Sequence, residues 1–216
     1  MIDRDLYKDE FYDLQKSIST KTLDRIKKFH FRADAQRTLL GDILIRYILC
    51  KRKCKNNEEL IFSYNPYGKP QLANSPDIHF NISHSGKYVV ASVDTMPVGV
   101  DVEIIKPIDL KVADSFFSKL EKEYILNSEY GERLSKFYRI WTMKESYIKR
   151  EGKGLSIPLD SFCVISLEGD NETVFYEGFQ NEEAVCTICS SQNSEPKKIV
   201  LNLDSLINNF EKTVYF

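Results

Sequence analysis

The segment from Phe137 to Leu155, FYRIWTMKESYIKREGKGL, restricts this chain more than any other. Its apolar residues, with Leu134 just ahead of it, recur at helical spacing: Leu134, Phe137, Tyr138, Trp141 and Ile148. The pattern predicts an amphipathic helix ended by Gly152 and Gly154. At about 100° per residue, Glu145 falls near the middle of the apolar stripe. Lys149 sits one turn on, at the stripe's edge, and Lys144 lies on the other flank. A carboxylate on a core-facing stripe is costly unless a cation compensates it. One candidate is Lys149 itself, because Glu-to-Lys pairs at i,i+4 are common on helix surfaces. Surface pairs lie opposite the apolar stripe, however, and this one lies on it. The other cation is one that further residues of the chain would help to hold.

The 216 residues are enough for one large domain or two small ones, each with a core. Charged residues at 29% and aromatic residues at 12% mark a globular chain, not a disordered one. A net charge of -2 gives no strong non-specific attraction to nucleic acid. No apolar run is long enough to span a bilayer, so no membrane association is expected. The N-terminal MIDRDLYKDEFYD is acidic and mixed, unlike a signal or transit peptide, and a cytoplasmic protein is expected. Five cysteines raise the question of zinc or disulfides. Cys50 and Cys54 could share a helix face. Cys186 and Cys189 fall on a predicted strand, where a spacing of three points them to opposite faces, so they cannot easily chelate one metal. Reduced, mostly buried thiols are expected.

In chain order, the spacing predicts a short basic helix over Thr20–Lys28, capped by Ser19 or Thr20, and a core helix over Asp34–Cys50. A strand at Leu60–Tyr64 leads into the rigid turn Asn65–Pro70. Strands at Asp77–Ile82, Tyr88–Asp94 and Val98–Ile105 should form an antiparallel meander, with Ser83, His84, Ser85 and Gly86 following the first as a turn. Ser118 and Glu121 form a capping box that opens a helix to about Leu126. After the Glu145 helix come strands at Phe162–Leu167, Thr173–Tyr176, Ala184–Ser190 and Ile199–Leu203, then a short helix at Asp204–Phe210. The fold class is α+β: two similar α/β halves, each a small antiparallel sheet with packed helices. The boundary is drawn between 1–98 and 99–216.

Asp101 and Glu103 alternate with Val98, Val100, Val102 and Ile104, so both carboxylates share one strand face. Taken alone, that is a half-exposed strand with its polar face in water. Glu145 changes the balance. Three converging carboxylates repel one another, and a Mg²⁺ ion between them turns the repulsion into attraction. Anion donors are also present: Ser83, His84 and Ser85 with Gly86, Lys69 in its turn, Arg25, Arg37 and Thr38, and Lys149. Each has a plain structural explanation. Together they suggest a Mg²⁺-dependent enzyme acting on a phosphorylated compound, and residue chemistry goes no further.

The segments RTLLGD (Arg37–Asp42), YGKP (Tyr67–Pro70), FNISHSG (Phe80–Gly86), GVDVE (Gly99–Glu103) and WTMKESYIKREGKGL (Trp141–Leu155) resemble the surfactin-type 4'-phosphopantetheinyl transferases in order and spacing, over roughly residues 20 to 165. The resemblance implies coenzyme A in a cleft between two pseudo-twofold halves of a monomer. It implies transfer of the phosphopantetheinyl arm to a serine of an apo carrier protein of peptidyl, aryl or acyl type, with release of adenosine 3',5'-bisphosphate. Nonribosomal peptide and antibiotic biosynthesis is the expected setting, with polyketide and fatty acid carriers also possible partners. Asp101, Glu103 and Glu145 would hold Mg²⁺ on the pyrophosphate. Glu145 would help deprotonate the serine, directly or through a metal-bound water, and Lys149 would offset charge on the pyrophosphate. Ser83, His84, Thr38, Lys69 and Arg25 would meet the 3'-phosphate. Arg37 and Lys144 join the coenzyme A set, and Tyr67, Gly68, Lys69 and Pro70 would border the adenine.

Two departures from the family stand out. Its second basic residue, one turn before Arg25, is here Thr22, so Lys21 substitutes or the contact is absent. The stretch from Asp170 to Glu183 is short, and a strand could be missing there. Two other functions use the same residues. A Mg²⁺-dependent pyrophosphohydrolase would cleave coenzyme A with water, and a non-catalytic module would only bind coenzyme A or a carrier.

Overall fold

In the computed structural model, which describes residues 1–53, 56–167 and 172–214, helix α3 (Arg32–Lys53) separates two apolar layers. One face of α3, with Leu39, Leu40, Ile43 and Tyr47, packs on Leu6, on Leu14 of α1 (Lys8–Gln15) and on Ile26 of α2 (Thr20–Ile26). The other face, with Ile45, Leu49 and Cys50, packs on Leu60, Leu72, Ile78 and Phe80. Leu72 and Phe80 belong to the sheet region. There β1 (Phe62–Tyr64) pairs antiparallel with β2 (Pro70–Leu72), and β3 (His79–Ser85) pairs antiparallel with β4 (Tyr88–Asp94). The β3–β4 hairpin closes at Gly86, whose φ of 54° is a conformation that tight hairpin turns demand and glycine accepts.

A third, three-stranded sheet runs β5-β7-β6, all antiparallel, from β5 (Val98–Ile104), β6 (Val174–Gln180) and β7 (Ala184–Ser190). Against it lies α6 (Arg133–Glu151), the predicted Glu145 helix. The approach is close at Gly99, where a Cβ would come within 1.9 Å of the Ser146 carbonyl oxygen. The Thr142 and Thr187 hydroxyls meet at 2.8 Å and tie α6 to β7. On its far side α6 packs through Phe137, Ile140 and Met143 on α4 (Ala113–Phe116), on Ile125 of α5 (Lys119–Leu126) and on Val164 of α7 (Val164–Leu167). The chain then returns to its beginning. Helix α8 (Leu203–Val214) buries Leu203, Leu206, Ile207 and Phe210 against the α3 layer, and the Met1 ammonium donates to Leu201 O at 2.7 Å. No helix among the described residues is long and apolar enough to cross a membrane.

Several sequence expectations are corrected. The three-strand meander does not form, because β5 pairs with β7 and not with β4. The Asp94–Pro97 link explains part of this. Asp94 Oδ1 accepts from the backbone of Thr95 and Met96 there, and Pro97 has no N–H to offer a ladder. Ser83, His84 and Ser85 lie on β3 itself, and the turn comes after them. Phe162–Leu167 is not a strand. Phe162 O is taken by the Lys144 ammonium and Val164 N by the Glu121 carboxylate, so side chains have engaged the backbone that a ladder would need. Ile199–Leu203 is not a strand either, and Ile199 and Val200 are 73% and 88% exposed. The Ser118–Glu121 capping box opens α5 as expected. Cys50, Cys163, Cys186 and Cys189 are free thiols, with burial pushing Cys186 and Cys189 up to about 12. Cys54 and residues 170–171 of the short stretch lie outside the described residues.

Candidate active site

Strands β3 and β5 run side by side, but side chains make their bonds. Asn81 Oδ1 accepts from Val100 N at 2.9 Å, and Ser85 Oγ accepts from Ile104 N at 3.1 Å. Between these two tethers lies the carboxylate cluster. Asp101, 3% exposed, accepts on Oδ1 from Ser83 Oγ at 2.9 Å and from Lys149 Nζ at 2.6 Å. Lys149 also reaches Ser83 Oγ at 3.0 Å, so the lysine serves Asp101 from across the helix–sheet contact. Glu103 accepts from Ser85 Oγ at 2.9 Å. Burial raises the pKa of both Glu103 and Glu145, and the negative charge of Asp101 raises both further. Glu145 also adds to the shift of Glu103, while Lys149 opposes both. The three carboxylates therefore repel one another, as like charges do in a site short of positive charge.

A second cluster lies on the opposite face of β3. A Cβ at Gly41 would touch Ile82, which places α3 on that face, and His84 follows two residues on. Burial lowers the His84 pKa, and the positive charges of Arg37, Arg25 and Lys149 lower it further. Arg37 is partly engaged, donating to Asp34 and, at 3.3 Å, to Gly86 O. Thr38 is buried beside it on α3. Among the described residues, two buried side-chain polar atoms have no hydrogen-bond partner: Thr38 Oγ1 and Asp101 Oδ2. One lies in each cluster. Buried polar atoms in folded proteins are nearly always satisfied, so orphans of this kind ask for an outside partner.

Other expected residues sit elsewhere. Lys144 does not reach either cluster. It is fully buried, and its ammonium bonds Glu121 Oε2 at 2.8 Å and the carbonyls of Leu159 and Phe162 at 2.7 Å each. The Lys69 ammonium is engaged at the C-terminus of α6, on the carbonyls of Lys149 and Arg150. Ser83 stands with Asp101 and Lys149, on the other strand face from His84. Tyr67 and Gly68 lie in the Asn65–Lys69 turn, with Tyr67 57% exposed, and Pro70 starts β2. Thr22 gives its hydroxyl to Asp42 at 2.6 Å, and its neighbour Lys21 lies over the Tyr64 ring, 3.1 Å from the centroid. Sequence reasoning missed Asn81 as a tether and Glu121 as the partner of Lys144. The Glu121 oxygen that caps Ser118 N is also the one that meets Lys144, and its other oxygen accepts from Val164 N.

Two family profiles match the chain. The one described as 4'-phosphopantetheinyl transferase, N-terminal, covers residues 6–95, and the one described as 4'-phosphopantetheinyl transferase superfamily covers residues 97–203. The 4'-phosphopantetheinyl transferase Sfp of Bacillus subtilis (strain 168) is 44% identical over 163 residues, spanning 76% of this chain and 73% of its own. The 4'-phosphopantetheinyl transferase gsp of Aneurinibacillus migulanus is 39% identical over 178 residues, 82% of this chain and 73% of its own. The mouse L-aminoadipate-semialdehyde dehydrogenase-phosphopantetheinyl transferase is 32% identical over 179 residues, 75% of this chain and 58% of its own. With the GVDVE strand and the WTMKES helix meeting at one carboxylate cluster, and with identity of this extent, the chain belongs to the surfactin-type 4'-phosphopantetheinyl transferases.

Proposed function

We propose that this chain transfers the 4'-phosphopantetheinyl group from coenzyme A to a serine of an apo carrier protein. The serine oxygen forms a new bond to the phosphorus that bears the pantetheine, the pyrophosphate bridge breaks, and adenosine 3',5'-bisphosphate leaves. The observation that carries this is the pair of buried, unpartnered atoms, Thr38 Oγ1 and Asp101 Oδ2. They stand in two clusters of opposite character, one fit for a phosphate and one for a cation on a pyrophosphate.

Arg25, Arg37, Thr38 and His84 would hold the 3'-phosphate, and the turn of Tyr67, Gly68, Lys69 and Pro70 would border the adenine. Asp101, Glu103 and Glu145 would hold Mg²⁺. Hard carboxylate oxygens, one of them buried and unpaired, suit that ion. Among the described residues no three such side chains are gathered closely enough to hold a metal as they stand, and the Lys149 ammonium occupies Asp101. Bound there, Mg²⁺ would neutralise charge on the pyrophosphate. Lys149, freed from Asp101, would turn to the same oxygens. Glu145, whose burial raises its proton affinity, would take the serine proton. Both clusters come from one chain, which favours a monomer, and a cytoplasmic location is part of the same reading. Peptidyl and acyl carrier domains of peptide antibiotic synthesis are the proposed partners.

The test is incubation with coenzyme A, Mg²⁺ and an apo carrier, followed by mass measurement. A carrier heavier by one phosphopantetheine is expected. Free phosphopantetheine with an unmodified carrier would make the chain a hydrolase, and tight binding without turnover would make it a binding module.

A further inference from the structure

Helix α6 ends at Glu151, with Gly152 left-handed at φ 68°. The last four carbonyls of an α-helix have no partner within it. Here Ile148 O is taken by Gly152 N at 2.9 Å. Lys149 O and Arg150 O accept from Lys69 Nζ, at 2.6 and 3.1 Å, and the same ammonium reaches Val98 O at the start of β5 at 3.1 Å. Beside it, Asn65 Nδ2 donates to Gly152 O at 2.6 Å. The other end of the Asn65 amide accepts from the backbone of Tyr67 and Lys69, at 2.9 Å each, and so folds the turn. The junction is tight. A Cβ on Gly152 would come within 2.9 Å of Lys69 Cδ and 3.1 Å of Asn65 Nδ2. A cation at a helix C-terminus is also favoured by the helix dipole.

We propose that Lys69 is a positioning residue, which fastens the Asn65–Pro70 turn to the end of α6, and not a ligand of the coenzyme A phosphate. An ammonium has three protons, and here three carbonyls take them. None is left for an anion. The turn lies before β2, in the first part of the chain, while α6 carries Glu145 and Lys149. The clasp thus fixes how the face that would border the adenine sits relative to the groups that would act on the pyrophosphate. The ligand in this statement rests on the coenzyme A reading above, whereas the clasp itself does not.

The experiment compares wild type, Lys69→Met and Asn65→Asp. In the protein without ligand, backbone hydrogen exchange should quicken together in segments 65–70 and 149–154 of Lys69→Met, by about tenfold. Calorimetric titration should show weaker binding of coenzyme A and of dephospho-coenzyme A by the same factor, about fivefold, at unchanged stoichiometry. Asn65→Asp keeps the acceptor that folds the turn but replaces the donor to Gly152 O, and it should show the same joint loss. A loss confined to coenzyme A would make Lys69 a phosphate ligand and overturn the proposal. Unchanged affinity for both ligands would overturn it too, as would a fall in stoichiometry alone, which marks a merely structural role. Should wild type bind neither ligand, the coenzyme A reading fails, and the coupled exchange of the two segments still decides the clasp.

Discussion

Glu145 is half-buried beside a buried aspartate and is charged at neutral pH only at a cost. Its pKa is raised above 4.5, first by burial and then by Asp101. The folded state thus binds this proton more readily than the unfolded chain, so the contribution of Glu145 to stability falls as pH rises from 4.5 through the raised value. Glu145→Gln removes that penalty. It should melt no lower than wild type at neutral pH, yet lose transfer by on the order of a hundredfold or more. Near wild-type turnover with Mg²⁺ would sink the assignment. His84 works in the opposite sense. Its pKa lies below 6.5 because of burial and the neighbouring cations, so as pH falls through that range the unfolded chain takes the proton first and stability declines. A phosphate beside it would favour the imidazolium, and binding should take up a proton. The preference for coenzyme A over dephospho-coenzyme A should then grow between about pH 7.5 and about pH 6. His84→Ala should flatten that slope and lower the preference by about 1 to 3 kcal/mol. Equal losses for both ligands would place His84 elsewhere.

Elements with a clean period were legible in the sequence: the paired leucines and isoleucines of α3, the alternating valines of β5, and the capping box of α5. The placing of Glu145 on the apolar stripe of α6, and of Asp101 and Glu103 together on one face of β5, could also be read from the period, while their role toward a metal belongs to the proposal. What escaped was the behaviour of polar side chains toward distant backbone, which leaves no period. Asn81 and Ser85 join β3 to β5 in place of a ladder, and Lys144 and Glu121 hold Phe162 and Val164 out of the strand that their apolar character suggested. Lys144 was read as a flank of the helix and is instead its most deeply enclosed charge, paired with an equally enclosed Glu121. Removing one member of a buried pair leaves the other uncompensated. Lys144→Met should therefore cost about 3–5 kcal/mol in urea unfolding, and adding Glu121→Gln should restore part of the loss. A single mutant within experimental error of wild type would show that the pair does not bind α5, α6 and the 159–164 segment together.

At the scale of the whole molecule, α8 joins the end of the chain to its start, and α5 is left on the outside with an unusual surface. Leu120, Tyr124 and Leu126 are 54%, 38% and 55% exposed on that helix. Lys119 is loosely paired with Glu123 at 3.8 Å, Lys122 pairs with Asp114 at 3.3 Å, and Lys111 is exposed just ahead. Phe116 and Phe117, adjacent in sequence, do not contribute. Phe117 is buried against Phe137 and Trp141, and Phe116 meets Trp141 edge-on at 5.6 Å. A net charge of -2 gives this protein no overall attraction for a negatively charged partner, so steering of a carrier with an acidic surface has to come from a local patch. The lysines beside the exposed apolar residues of α5 supply one. Reversing Lys119 and Lys122 to glutamate together should raise the KM for the carrier at low ionic strength. Exposed charges are screened over about 10 Å at 0.1 M salt, so the defect should shrink as salt is added. Coenzyme A binding should not change, because neither lysine stands near Arg25, His84 or Asp101 in the contacts that form those clusters. An unchanged carrier KM at low salt would move the docking surface away from α5. A defect that persists at high salt would point instead to Leu120 and Tyr124, whose burial under the carrier would be indifferent to screening.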